Sequence, residues 1–292
     1  MKAYEALNSG RNLILKRAGS RSSAYSEAVW LLSYCMNIPA SALFMNLREP
    51  LPDTVSKIFL RLAKKRASGY PLQYITGSAS FFGRDFTVSK GVLIPREDTG
   101  ALIEAVLRNF KQPASPFTAA DAGCGTGIIA LTLLLQGIKP KKFDLYDISP
   151  AAISCARKNT RLHGLNSSIT LKKGDFFALT ASKKRYYDLI VSNPPYIKTG
   201  AKKRLQKEVL KEPAKALFAG KQGLDFYRKL SQAAPRLLKK EGTLAIEIGA
   251  GMEKQVLRLF KNCFEHIESA RDTGCKTRAV VMKLKAELKA ES

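Results

Sequence analysis

Between about residues 117 and 248 the chain alternates short apolar runs with helical stretches, and turn residues stand at nearly every boundary. Strands are read at about 117–122, 143–147, 168–173, 187–192 and 243–248. Helices follow the first of these to about 136, then run at 149–163 and 224–239. Strands separated by helices cannot close as hairpins, so they must pair in parallel through crossovers and bury both faces. The pattern therefore predicts an α/β fold with a doubly wound parallel sheet. One boundary is written in full: Ser149 as N-cap, Pro150 at the first helical position and Gly164 just past the end. The β-prone stretches Phe264–Ala270 and Thr277–Leu284 are joined by only Arg271–Lys276, which demands antiparallel pairing of the last two strands.

Upstream the rhythm differs. From Ala24 to Lys65 the apolar positions fall at helical spacing, punctuated by Pro39, Pro50 and Pro52, as expected of a small helical bundle. Ser80–Ser89 alternates around Gly83-Arg84-Asp85, which predicts a β-hairpin, and a further helix is expected near Thr99–Phe110. The expected domains are thus 1–77, a hairpin linker at 78–95, and 96–292. The last several residues read as a frayed basic tail.

The most informative tetrapeptide is Asn193-Pro194-Pro195-Tyr196, directly after the apolar run Asp188–Ser192. Proline lacks the N–H a central strand needs, so the strand ends here and presents Asn193 at the carboxyl edge, where open parallel sheets bind ligands. The Asn193 side-chain carbonyl and the Pro194 backbone carbonyl can both accept from one planar –NH₂ group, on which Tyr196 can stack. The motif suits an amide or an exocyclic amine.

A second constellation follows the first strand. Asp121-Ala-Gly123-Cys124-Gly125-Thr126-Gly127 opens an apolar helix, and its alternating glycines allow a sharp turn and close ligand approach. Such loops also serve nicotinamide dinucleotides, so two further elements carry weight. Asp147 ends the next strand, where a carboxylate can accept both ribose hydroxyls, and Gly174-Asp175-Phe176 sets an acid and a ring where an adenine would lie. Asp121 either positions the loop, meets an ammonium through water, or is structural. Cys124 reads as a small loop residue, with no histidine nearby in sequence to activate it.

Composition excludes several classes. Five cysteines, an odd number, lack a CxxC pair, and only two histidines accompany them, so neither a disulfide framework nor a zinc site is expected. No stretch approaches the roughly 20 apolar residues of a membrane span, and residues 1–18 lack a signal-like apolar core, so a cytoplasmic protein is expected. The outlier is charge: 49 Lys plus Arg against 24 Asp plus Glu, a formal +25. Either a generally basic surface or a patch for nucleic acid or an acidic partner accounts for it.

The glycine loop, Asp147 and Asn193–Tyr196, in this order, resemble the class I S-adenosylmethionine-dependent methyltransferases that modify planar nitrogens. Tyr70-Pro-Leu-Gln-Tyr-Ile-Thr-Gly77, Phe81-Phe-Gly83, Gly91-Val-Leu-Ile-Pro-Arg-Glu97, Gly223-Leu-Asp-Phe-Tyr227, Glu247-Ile-Gly249 and Arg271–Arg278 narrow this further. Together they look like the release-factor glutamine-N5 methyltransferase family called PrmC or HemK, over nearly the whole chain. The resemblance implies a Rossmann-like sheet with an antiparallel C-terminal strand, preceded by a helical domain that recognises the protein substrate. It implies S-adenosyl-L-methionine held by Gly123, Cys124, Gly125, Thr126, Gly127, Asp147, Asp175, Phe176 and Asn193. The implied substrate is the glutamine of the Gly-Gly-Gln motif of peptide-chain release factors, bound by Asn193, Pro194, Pro195 and Tyr196, with Asn193, Pro194 and Tyr196 acting in the transfer.

Departures are Phe176 where the family usually has Trp, Cys124 where Thr is common, and Asp98-Thr99-Gly100 in place of a Glu-Thr-Glu pattern. Val209–Gly223 is expected at the active-site rim, with Glu212-Pro213 open between a site role and loop punctuation. Three alternatives stay open: a ribosomal-protein glutamine methyltransferase, a DNA or RNA adenine-N6 methyltransferase, and a non-catalytic basic RNA-binding module.

Overall fold

The computed structural model describes residues 1–18 and 20–286, so the expected basic tail lies outside the described residues. The chain divides into two compact units, Met1–Ser78 with Leu205–Lys211, and Ala79–Arg204 with the residues from Glu212 onward. No described helix is long and apolar enough to cross a membrane.

The first unit is helical: α1 (Ala3–Ala18), α2 (Arg21–Met36), α3 (Ala40–Met45), α4 (Asp53–Ala67) and α5 (Leu72–Thr76). Ser20 caps α2 by accepting from the Ser23 N–H at 3.1 Å, and Asn37 ends it in the left-handed conformation. Leu31, Leu32, Leu43 and Phe59 are fully buried at its centre. Arg66 on α4 is buried too, and a charge there requires compensation. It donates to both carboxylate oxygens of Glu27, at 2.8 and 2.7 Å, and pairs with Glu208 at 2.7 Å. That second partner explains why Leu205–Lys211 belongs to the helical unit. Of the segment Val209–Gly223 expected at the rim, Val209–Lys211 thus group with the helical unit and the rest with the second unit.

The second unit opens with the hairpin β1 (Ser78–Phe81) and β2 (Arg84–Thr87). Its turn is Phe82-Gly83, both at positive φ (50° and 69°), rather than the expected Gly83-Arg84-Asp85. A two-residue loop of this hand matches strand twist, which is why Arg84 and Asp85 are already in the strand.

Next come α6 (Thr99–Asn109), β3 (Thr118–Ala122), α7 (Ile128–Leu135), β4 (Lys142–Asp147), α8 (Pro150–Leu162), β5 (Ile169–Lys173), α9 (Phe176–Leu179) and β6 (Tyr187–Ser192). After an irregular segment follow α10 (Ala214–Leu217), α11 (Asp225–Leu237), β7 (Leu238–Glu247), α12 (Glu253–Phe260), β8 (Phe264–Arg271) and β9 (Thr277–Leu284).

The seven strands run in the order β5-β4-β3-β6-β7-β9-β8, with β9 antiparallel to both neighbours. Strand order reverses between β3 and β6, and the register Ala122↔Tyr146 and Asp121↔Val191 brings three carboxyl ends level there. This switch point is where an open sheet leaves a crevice. One apolar layer (Leu102, Val106, Leu131, Leu133) covers one face, and Tyr227, Leu230, Val256 and Phe260 cover the other. Strand β7 starts at Leu238 rather than near 243, because Leu238 pairs with Tyr187 and Lys239 reaches Asp188 at 2.8 Å. The polar run Lys239–Glu241 hides that extension from a hydrophobicity pattern.

Candidate active site

A cavity of about 650 Å³ sits at the switch point. Its wall includes Asn193, Pro194 and Pro195 at the end of β6, Gly123–Thr126 after β3, Asp147 after β4, and Asp175 and Phe176 after β5. Four segments far apart in sequence thus meet because four parallel strands end together.

Ser192 closes β6 by donating to the Ala122 carbonyl at 2.6 Å. Beyond it Asn193 donates through Nδ2 to Thr99 Oγ1 at 3.2 Å, and Thr99 donates to the buried Glu247 Oε2 at 2.7 Å. Tyr196, expected to stack on the acceptor, does not line this cavity. Its ring packs by Gly249, where a Cβ would come within 3.0 Å of Cδ2, and its carbonyl lies where a Gly223 Cβ would stand, 2.3 Å away. Only glycine admits that approach, which gives Gly223-Leu-Asp-Phe-Tyr227 a physical reason. Burial and the nearby Glu247 push the Tyr196 phenol up to about 12.

The glycine loop is held by its backbone. The N–H groups of Gly123 and Cys124 both donate to the Tyr146 carbonyl at 2.9 Å, and Gly127 N–H donates to Cys124 at 2.7 Å. Asp147 accepts from Gly125 N–H at 2.9 Å and Ser149 N–H at 2.8 Å, one on each oxygen. Its charge is therefore a loop anchor as well as a cavity group, and burial raises its pKa despite those two donors. Gly123 and Gly125 have φ of +83° and +57°, and a Cβ on either would meet nothing within 4 Å. The space beside the loop at these two positions is therefore open. Gly127 does not line the cavity; it packs against Ala156, Leu131 and Leu145 and keeps α8 close. Thr126 is buried, its carbonyl accepting from Asn159 Nδ2 at 2.9 Å. Cys124 is buried, and desolvation with Asp121 and Asp147 nearby drives its thiol far above the ordinary value, so it is unreactive.

Asp121 lies behind the loop, fully buried, with no well-formed hydrogen bond to either carboxylate oxygen. Burial first, and the Asp147 charge second, push it up to about 8. Between the ordinary carboxylate range and that value the folded protein holds a proton the unfolded chain has released, so stability falls as pH rises through this window. Asp121→Asn is expected to flatten that decline in urea-unfolding series from pH 5 to 8; an unchanged slope would assign it to other groups.

Asp175 caps α9 by accepting from Phe177 N–H at 2.8 Å, while Phe176 is buried with its ring edge-on to Tyr146, centroids 5.1 Å apart. Phe176 is therefore partly core. Phe177 and Phe226, 5.1 Å apart, line the cavity beside it; Phe226 lies in the quoted Gly223–Tyr227 motif but was given no site role, and for Phe177 the adjacent Phe176 was the only signal. Ile148, 53 % exposed on the cavity rim, was also missed.

The motif Gly91–Glu97 contributes Gly91, Val92, Leu93, Pro95 and Arg96 to the wall. Glu212, left open between a site role and punctuation, holds this loop: its carboxylate, 1 % exposed, accepts from Ile94 N–H at 3.0 Å and pairs with Arg96. Arg96 is 36 % exposed and can be rehydrated, so the loss is moderate. Glu212→Ala is expected to cost about 2 kcal/mol in chemical unfolding, chiefly through the orphaned Ile94 N–H and buried space.

Residues 5–77 match the family described as PrmC N-terminal domain, and 96–223 match Methyltransferase small domain. A release factor glutamine methyltransferase of Moorella thermoacetica is 41% identical over 79% of this chain and 80% of its own length. One from Bacillus cereus is 33% identical over 96% of this chain and 98% of its own. In fold alone, a methyltransferase from Pyrococcus furiosus superposes with a TM-score of 0.51 at 17% identity, covering 70% of this chain and 91% of that one. The chain is thus a methyltransferase of the class I fold, and it belongs to the release factor glutamine methyltransferase family.

Proposed function

We propose that this enzyme transfers a methyl group from S-adenosyl-L-methionine to the side-chain amide nitrogen (N5) of the glutamine in the Gly-Gly-Gln motif of peptide-chain release factors, in the cytoplasm. The carrying observation is one cavity walled at one side by the Gly123–Thr126 loop with Asp147, and at another by Asn193-Pro194. The residues fit the cofactor: open space beside Gly123 and Gly125, a carboxylate with spare lone pairs at Asp147, and aromatic surface at Phe176 and Phe177. Asp147 would accept the ribose hydroxyls, while Asp175 and Phe176 would border the adenine. Gly127 and Cys124 would act through the loop's shape.

Bound there, S-adenosyl-L-methionine would supply an electrophilic methyl group, its carbon–sulfur bond breaking to leave the thioether while the amide nitrogen gives up one proton, late in the transfer, to water or a carbonyl. A carboxamide nitrogen is a poor nucleophile because its lone pair is delocalised. Asn193 Oδ1 and the Pro194 carbonyl would accept its two N–H groups, raising its electron density and fixing its direction. Holding the nitrogen in line supplies much of the rate. Pro195 would bound the amide on one side, and Tyr196 would buttress the tetrapeptide against Gly249. The helical unit would recognise the protein substrate.

The test is incubation with labelled S-adenosylmethionine and, side by side, release factors, ribosomal proteins, DNA and RNA, followed by mass mapping. Methyl on the release-factor glutamine is expected. Methyl on adenine, on ribosomal-protein glutamine, or on nothing would each replace this reading with one of the alternatives.

A further inference from the structure

An asparagine can hold a planar –NH₂ group only if its oxygen, not its nitrogen, faces the acceptor, and a 180° turn of the amide exchanges the two at no cost in shape. Something must set that choice. The Thr99 hydroxyl has a single proton. It is given to Glu247 Oε2 at 2.7 Å, a carboxylate that when ionised can only accept. The oxygen of Thr99 is then left as an acceptor, and Asn193 Nδ2 meets it at 3.2 Å. Turned the other way, Asn193 would set two lone-pair oxygens against each other inside a partly closed wall.

We propose that Thr99 and Glu247 are positioning residues that lock the Asn193 amide with its carbonyl oxygen toward the methyl acceptor. The inference rests on the proposed role of Asn193 and adds the device that makes it directional. Glu247 lies at the end of β7 and is 1% exposed, while Thr99 is the first residue of α6 and lines the cavity. Two elements distant in sequence thus orient a side chain carried by β6. The Tyr227 hydroxyl, on α11, donates to the Glu247 backbone carbonyl at 2.9 Å and steadies the strand end.

The arrangement depends on the charge of Glu247. Burial pushes it up to about 7, hydrogen bonds from Thr99 and Asn193 hold it down, and Asp98 raises it again. The groups that face it are Asp98 before α6, Arg278 on β9, Tyr196 after β6 and Tyr227 on α11. Arg278 is itself bound to Asp98 at 2.8 Å and Asp272 at 2.7 Å, and both tyrosines are shifted upward, so none of these three changes charge near neutrality. Protonated Glu247 can donate to Thr99, whose own proton is then free to turn to Asn193 Oδ1. The lock reverses. Turnover should therefore fall as pH drops through about 7.

Thr99→Val keeps the shape and removes the hydroxyl arm of the link, leaving only the direct bond from Asn193 to Glu247. We expect kcat to fall about tenfold, the equivalent of one net hydrogen bond to a charged network, with the affinity for S-adenosylmethionine within about twofold. Thr99→Ser should restore most of the turnover, and the acid limb near pH 7 should be absent in Thr99→Val. An independent readout needs no substrate: one Asn193 side-chain amide proton, identified by its loss in Asn193→Asp, should be protected from exchange in the native protein and exposed in Thr99→Val. Native-like kcat, a persisting limb, or an equally protected amide in Thr99→Val would overturn the proposal. A wild-type enzyme that methylates no glutamine overturns the functional reading instead, and leaves the amide measurement to decide the lock.

Discussion

Asn193→Ala is expected to lower turnover on a release-factor substrate by about 10²–10³-fold while leaving S-adenosylmethionine affinity within about threefold. The magnitude is that of removing one preorganised hydrogen-bonding group aimed at the reacting centre in a water-poor site. The separation of the two effects follows from geometry. Asn193 hangs from the end of β6, whereas the loop contacts of Gly123, Cys124 and Gly125 run to Tyr146 and Asp147 and do not pass through it. Single-turnover kinetics with calorimetric titration of the cofactor would separate them. Nearly full turnover in Asn193→Ala would remove this side chain from the mechanism.

Asp147→Ala should produce the complementary phenotype. Its two oxygens accept the Gly125 and Ser149 N–H groups, so truncation orphans two donors and frees the loop as it deletes the acceptor for ribose. Hydrogen bonds to a charged group contribute about 1.5–3 kcal/mol each, so cofactor affinity should fall roughly 100-fold. Asp147→Asn, which keeps one acceptor oxygen, should fall less. Calorimetry measures both, and faster amide exchange at Gly125 would show the loop released. An affinity within threefold of native in Asp147→Ala would mean that the cofactor is held by other groups.

Most of the sheet was legible because strand and helix follow from local periodicity and punctuation. Ser149-Pro150 and Gly164 bound α8 as read, and the short Arg271–Lys276 connection left the last two strands no choice but antiparallel pairing. What escaped depended on neighbours distant in sequence. Glu212 stayed open between a site role and punctuation because its partners, Ile94 and Arg96, lie far upstream. Val209–Lys211 were read with the rim because nothing local says that the neighbouring Glu208 answers a buried Arg66. Tyr196 follows Pro195 as a stacking residue would, yet its ring direction was settled by the space that Gly249 and Gly223 leave open.

The sequence alone determined that a parallel sheet ends at Asn193, that a glycine loop and Asp147 stand beside it, and which family these motifs resemble. These are local properties: a missing N–H at proline, a missing Cβ at glycine, a strand's terminal residue. Only the tertiary structure decided which way the Asn193 amide is held. That choice is made by one proton on Thr99 and one buried carboxylate on Glu247, brought together by the registers of β6 and β7 and the start of α6.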